Sequence, residues 1–257
     1  MINKKEIKFL ASLKQKKFRI LHQKIVIEGS KLILDALKFN ESISKIVYSN
    51  KDKNFSKIRN EIKSKNIPME LCTEKDSEKV SDTKNSQQIF ALMDYNQPFE
   101  INEKTKVNGN SIIIDGVSDP GNLGTILRTC IWFGFKNIFV TNETVELFNP
   151  KTIRSGMGAH FHFETIVKDD IENILCFLKS SKIHLYGAHL DGLKTKKIKI
   201  DKKNNWGLIL GNEAHGLSKK SIESVDTLLK IDGENIMESL NVAEAASIIM
   251  YQLYKGN

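Results

Sequence analysis

Ile112-Ile-Ile-Asp115, followed shortly by Asp119-Pro-Gly-Asn-Leu-Gly-Thr-Ile-Leu-Arg128, decides how this chain is read. An apolar run without polar alternation describes a strand buried on both faces. Pro120 and Gly121 then turn the chain, Asn122 is placed to cap a helix, and Leu123, Ile126, Leu127 and Cys130 recur at helical spacing until Gly134. Strand, Gly/Asn-rich loop and helix pattern recur twice more. Gly207-Leu-Ile-Leu210 runs into Gly211-Asn-Glu-Ala-His-Gly216, and Leu228-Leu-Lys-Ile231 precedes Met237-Glu-Ser-Leu-Asn-Val-Ala-Glu-Ala245. In an α/β sheet such loops gather at the carboxyl ends of the strands, where ligands bind. Three of them in order mark a site.

Working outward, Asn137–Thr141 and His184–Gly187 are further short apolar strands, and Phe161–Val167 adds another. Separated by helical segments, they predict a mostly parallel sheet over residues 111–257. Residues 1–95 read as a small α/β unit of their own. It has a basic helical stretch over 4–17, a strand at Lys24–Glu28, and a helix opened by Gly29. A strand at Ser44–Tyr48, a helix at Phe55–Lys65 and strand candidates at Ile67–Leu71 and Gln88–Met93 follow. Residues 96–110 are polar, hold Pro98 and lack periodicity, which describes a linker.

At 257 residues with 40% hydrophobic and 27% charged content, the chain can bury a sizeable core. No apolar run approaches the roughly 20 residues of a membrane span, and the charged N-terminus leads into no secretory h-region. The three cysteines, Cys72, Cys130 and Cys176, have no metal-ligand spacing, so no metal is expected, and a reduced, cytoplasmic compartment is. Net charge is +8, but residues 1–66 alone carry 17 Lys/Arg against 6 Asp/Glu. Their local balance of +11 points to a polyanion-binding first part, favoured by counterion release. Only four of 39 basic residues are Arg: Arg19, Arg59, Arg128 and Arg154. Arginine in a lysine-using chain marks positions where the planar five-donor fork matters.

Each loop carries candidate chemistry. Arg128 lies under two turns beyond Asn122, and Gly124 admits another backbone, a ribose or a phosphate. Gly211 and Gly216 bracket Asn212 and Glu213, leaving backbone groups open to an adenine or ribose edge. Glu213 calls for a partner, with Arg128 or a ligand hydroxyl as candidates. His215, in the same loop, is not expected to be the base. Asn241 with Glu244 has a capping-box-like spacing, and Ser239 and Asn241 at a helix N-terminus can hold a hydroxyl or phosphate.

These residues resemble a known family. Asn122-x-Gly124-x-x-x-Arg128, Gly211-x-Glu213-x-x-Gly216 and Ser239-Leu-Asn-Val242 are similar, in order, to the three motifs of the SpoU (TrmH-like) RNA ribose 2′-O-methyltransferases of the SPOUT superfamily. Arg154-Ser-Gly-Met-Gly-Ala159 resembles the family's intermediate segment. Ser12–Arg19 and Ile27–Lys31 resemble the ribosomal-protein-like RNA-binding domain of its rRNA-modifying branch. The resemblance implies a SPOUT parallel sheet with a C-terminal trefoil knot over 111–257, a linker at 96–110 and an RNA substrate-binding domain over 1–95. It also implies a cytoplasmic homodimer that uses S-adenosylmethionine to methylate a ribose 2′-hydroxyl, in rRNA before tRNA. Catalysis would fall to Arg128, Asn122, Glu213, Ser239 and Asn241, and cofactor contacts to Ala188, Gly211, Asn212, Ile231 and Leu240. The family account gives Arg128 the deprotonating role; fork geometry favours a phosphate clamp and electrostatic aligner. One departure is plain: Ile231-Asp-Gly233 stands where the family usually has Ile-Pro-Met, and Asn235 where it usually has glycine. The rivals are a catalytically silent RNA-binding protein on the same scaffold and a nicotinamide enzyme. Gly121-x-x-Gly124 lacks the spacing that the second requires.

Overall fold

The computed structural model describes residues 1–39, 42–49, 55–95, 98–195, 204–234, 236 and 238–255, with backbone only at 56 and 57. The chain forms two compact units, residues 1–97 with 148–161, and residues 98–147 with 162–257.

In the first unit, α1 (Lys4–Ser12) and α2 (Lys16–His22) precede β1 (Lys24–Glu28), α3 (Ser30–Lys38) and β2 (Ile43–Tyr48). Then come α4 (Phe55–Ser64), β3 (Met69–Leu71), α5 (Glu74–Val80) and β4 (Ile89–Asp94). The sheet order is β1-β4-β2-β3, with only β2 and β3 parallel. The single basic helix expected over 4–17 is two helices, and Arg19 explains the break. Its guanidinium, 2% exposed, donates to the carbonyls of Leu13 at 2.7 Å and Lys14 at 2.6 Å. Those carbonyls at the end of α1 would otherwise lack a helical partner.

The second unit starts at β5 (Ser111–Asp115), α6 (Pro120–Trp132) and β6 (Asn137–Thr141). The chain continues through α7 (Pro150–Gly156), β7 (Thr165–Asp169), α8 (Ile171–Ser180) and β8 (His184–Lys194). It ends with β9 (Trp206–Gly211), α9 (Lys219–Ser224), β10 (Thr227–Lys230) and α10 (Val242–Lys255). Helix α7 and the 3-10 turn at 159–162 break the sequence-based partition, because residues 148–161 pack with the first unit. Phe148 sits edge-on to Tyr95 at 5.1 Å, and Arg154 pairs with Asp82 at 3.1 Å.

The second sheet is wholly parallel, in the order β10-β8-β9-β5-β6-β7. Every residue of β5, β6 and β9 is buried, which is why their sequences are apolar without alternation. Ile113, Phe139, Val167, Leu185 and Ile209 pack with Ile174 and Leu178 of α8. Leu123, Ile126, Leu127 and Cys130 of α6 are buried, as are Ala246, Ile249 and Met250 of α10, and the two helices pack together. Thr129 and Ser247 hydroxyls meet at 3.2 Å across that contact. Strand β8 runs past the expected end at Gly187. Its register against β10 jumps from Gly187↔Leu228 to Leu193↔Leu229, so residues 188–192 form a bulge. Gly192 is required there, since a Cβ would lie 2.6 Å from the Leu229 backbone nitrogen.

Candidate active site

Strand order locates the site. The chain passes from β5 outward to β6 and β7, then returns to place β9 on the other side of β5. At such a reversal the loops leaving the carboxyl ends of adjacent strands part and open a crevice. Asp115 and Gly211 are paired in the ladder, so the loops after β5 and β9 start side by side.

Asp119, not Asn122, caps α6. Its side chain accepts the Asn122 amide at 2.9 Å, and Pro120 occupies the first turn. Pro lacks only an N–H that would be orphaned there anyway. The Asn122 side chain is thereby left for other work. Its Nδ2 donates to Glu213 Oε1 at 3.1 Å, and its Oδ1 accepts from Asn241 Nδ2 at 3.0 Å. A carboxylate only accepts, so Glu213 fixes which way the Asn122 amide faces, and Asn122 fixes Asn241. Asn241 Oδ1 in turn accepts the Ala243 amide at 2.8 Å, capping α10. One hydrogen-bonded chain thus joins the three loops, through residues 91 and 119 positions apart.

Glu213 is filled. Besides Asn122 it accepts from the Ser118 amide and hydroxyl, each at 3.0 Å, and from the Asp119 amide at 3.1 Å. Partial burial pushes its carboxyl up. Hydrogen bonds from the Ser118 amide, Asn122 and the Asp119 amide outweigh this and hold it below the usual glutamate range. The expected Arg128 partner is not at Glu213. Arg128 is exposed on α6 and makes no ion pair among the described residues.

Of the residues expected at a cofactor, Ala188 is half-buried in the β8 bulge, Gly211 ends β9, and Ile231 follows β10. These three strands are neighbours in the sheet. Leu240 is 49% exposed, and Ser239 beside it is also exposed. Asn212 differs from expectation. Its Nδ2 donates to Gly116 O at 2.7 Å, its Oδ1 accepts from Ala214 N at 2.8 Å, and its backbone exchanges bonds with Gly216 at 2.9 Å. It is a scaffold of the loop rather than a free binding group. His215 is exposed in the same turn. The sequence departure at Asn235 and the start of the third motif at Met237 lie outside the described residues.

Ser118 and Asp119 escaped the sequence reading. Asp immediately before Pro was the available signal, because it is the cap-then-first-turn order that helix starts favour. Thr144 escaped too: it accepts the Gly116 amide at 3.1 Å and donates to Ile114 O at 3.0 Å, bracing the loop.

Comparison with known proteins identifies the family. Residues 109–251 match the sequence profile of the SpoU rRNA methylase family, and residues 4–91 that of the MRM3-like substrate binding domain. The chain is 31% identical to the 23S rRNA (guanosine(2553)-2′-O)-methyltransferase RlmP of Bacillus subtilis, over 96% of this chain and 95% of that protein. Its fold matches an AdoMet-bound rRNA methyltransferase from Sinorhizobium meliloti with a TM-score of 0.85 at 25% identity, covering 99% and 96% of the two chains. A TrmH-family protein from Porphyromonas gingivalis matches with a TM-score of 0.84 at 27% identity over 100% of both. With more than half of the chain matching the family profile and nearly its whole length aligned with the B. subtilis protein, the chain belongs to the SpoU rRNA methylase family of the SPOUT superfamily.

Proposed function

We propose that this protein transfers a methyl group from S-adenosylmethionine to a ribose 2′-hydroxyl of RNA, and that the RNA is ribosomal. The observation that carries the reading is the Glu213–Asn122–Asn241 chain, which fixes the three loops while leaving Arg128 open to an incoming anion. The activity named for the B. subtilis relative supports the substrate class, and the AdoMet-bound S. meliloti relative supports the cofactor.

The residues present fit that cofactor. At Gly211 a Cβ would fall 2.2 Å from the Gly216 carbonyl, so only backbone can occupy the end of β9. Ala188 in the β8 bulge, Ile231 just after β10 and the half-exposed Leu240 before α10 supply apolar side chains for an adenine. When bound, S-adenosylmethionine supplies an electrophilic methyl group.

The protein's own part is alignment. Arg128 holds a phosphate beside the target ribose with its two-pronged fork and stabilises developing charge. Asn122 and Asn241 hold the ribose and keep their loops in register. Glu213, occupied by four donors and held ionised, is a positioning residue and a poor base. Ser239 stands at the cofactor, and Asn212 shapes the cradle.

The C-terminal segment threads into the trefoil knot of the superfamily, and residues 1–95 hold the RNA while 111–257 carry the chemistry. An aromatic cluster supports a homodimer through α6 and α10: Trp132 is 84% exposed, and Phe133 lies between Tyr251 and Tyr254. No described helix is long and apolar enough to cross a membrane, and action on ribosomal RNA fits a cytoplasmic place of work. Methyl transfer from labelled S-adenosylmethionine into RNA of cells lacking the gene, mapped for 2′-O-methyl, tests the proposal. Label in large-subunit rRNA is expected. Label confined to tRNA would overturn the substrate, and cofactor binding without any methyl transfer to RNA would overturn the activity.

A further inference from the structure

We infer that the outer face of α2 is a stacking platform on which the protein holds unpaired bases of its RNA; this rests on the RNA-methylating reading above. Of the seven residues of α2 only Arg19 is buried, Phe18 is half-buried, and the other five are exposed. Arg19 points inward and is buried, as described. Phe18 and His22, four apart and so on one side of the helix, lie on the flank beside it, Phe18 half-buried and His22 exposed, and Leu21, 69% exposed, lies on the side away from Arg19. The His22 ring is held on two sides. Phe9 of α1 meets it edge-on at 5.0 Å, and Phe18 stacks nearly parallel to it, at 6.3 Å and 13°. Phe9 packs against the core cluster of Ile7, Leu10 and Val47, so the ring pair is anchored to the fold.

Charge surrounds these rings. Lys17 Nζ lies 4.8 Å from the Phe18 ring centroid. Lys16, Lys17 and, one turn before Phe9, Lys5 are exposed, and none has a carboxylate at ion-pair distance among the described residues. Helix α2 carries no acidic residue, and Glu6, the acidic residue of α1, pairs with Lys45. An apolar surface ringed by unneutralised lysines suits a ligand with flat faces and a phosphate chain. Single-stranded RNA has both, whereas a duplex hides its base faces. The platform recognises stacking and charge rather than sequence. Its work is to recruit RNA, not to choose the nucleotide.

The test uses the full-length protein, a labelled single-stranded RNA oligomer and, separately, rRNA as methyl acceptor. His22→Ala and Phe18→Ala should each weaken oligomer binding about 5- to 150-fold, the range for losing one stacked base. His22→Phe, which keeps the ring, should restore it. Lys16→Ala with Lys17→Ala should reduce the slope of log affinity against log salt by about 1.4. KM for rRNA should rise in all three alanine variants while kcat at saturating RNA and S-adenosylmethionine affinity stay at wild-type values. Since Phe18 is half-buried, the exposed His22 and lysine variants decide the matter if Phe18→Ala fails to fold. Wild-type oligomer affinity and salt slope in those variants would overturn the platform, and point to a protein partner for this face. Failure of the wild-type protein to methylate any RNA would overturn the enzymatic reading instead, and leaves the oligomer result to be read on its own.

Discussion

Glu213→Gln is the sharpest probe of the site, because it changes charge and acceptor count while keeping shape. Each carboxylate oxygen takes two donors: Oε1 from the Asp119 amide and Asn122 Nδ2, Oε2 from the Ser118 amide and hydroxyl. Glutamine keeps one acceptor oxygen. Whichever side it takes, one backbone amide and one side-chain donor then face an NH2 group. A hydrogen bond to a charged acceptor contributes about 1.5–3 kcal/mol. Glu213 is exposed, so water replaces part of each lost bond, and the expected destabilisation is about 1–2 kcal/mol. In a domain of this size that lowers Tm by a few degrees.

The loss in turnover should be larger than the loss in stability. Asn122 sits between Glu213 and Asn241, so releasing it loosens two loops at once. A misplacement of about 1 Å costs roughly 100-fold in rate, so kcat should fall between about 10- and 100-fold with little change in S-adenosylmethionine affinity. The pH dependence supplies a second reading. Glu213's folded pKa is depressed, so its contribution is present above the unfolded glutamate value and is lost as pH falls through the folded one. The stability gap between wild type and Glu213→Gln should therefore be widest near neutral pH and close in acid. Thermal unfolding from neutral to acidic pH, beside single-turnover methyl transfer, measures both. Wild-type kcat together with a pH-independent stability gap would refute the reasoning.

Arg128→Lys keeps the charge but loses the fork. It should lower kcat at least about 10-fold without moving Tm, and near-wild-type turnover would remove the clamp. Trp132→Glu places a charge in the exposed aromatic cluster through which the proposed homodimer would form; sedimentation should give a dimer for the wild type and a monomer for the variant, and a dimer in both would place the interface elsewhere. Thiol reagents at neutral pH should label only Cys176. It is exposed, whereas burial, helped by the Asp76 charge, pushes Cys72 up to about 11, and burial raises buried Cys130 well above the ordinary thiol range. Mass mapping of the alkylated native protein checks this, and rapid labelling of Cys130 would contradict the α6–α10 packing. Arg19→Lys should cost about 1–3 kcal/mol, since the more strongly hydrated ammonium is harder to bury and its shorter reach leaves the Leu13 and Lys14 carbonyls short of a donor; denaturant midpoints decide.

What could be read from sequence, and what could not, follows from the range of the interactions. Strands β5, β6 and β9 declared themselves because burial on both faces removes polar alternation, a signal held within five or six residues. The helix starts are legible for the same reason, and Asn122 reads as the α6 cap because two capping residues, Asp119 and Asn122, stand three apart. Asp119 takes the cap because Pro120 follows it. Neither burial nor local spacing could reveal that Asn122, thus released, bridges Glu213 and Asn241. That contact exists because β9 returns to lie against β5, a consequence of sheet order. Arg19 shows the opposite failure. Within a run of lysines it looks like one more solvated charge, yet it is buried on the carbonyls that end α1. Lysine offers an ammonium that is strongly hydrated, while guanidinium is weakly hydrated and can be buried with Nη1 donating to two carbonyls at once. The sparse use of arginine was the one sequence trace of this difference. It marks Arg19 inside the fold and Arg128 on its surface, the first with Nη1 committed to two backbone carbonyls and the second exposed and without an ion pair among the described residues.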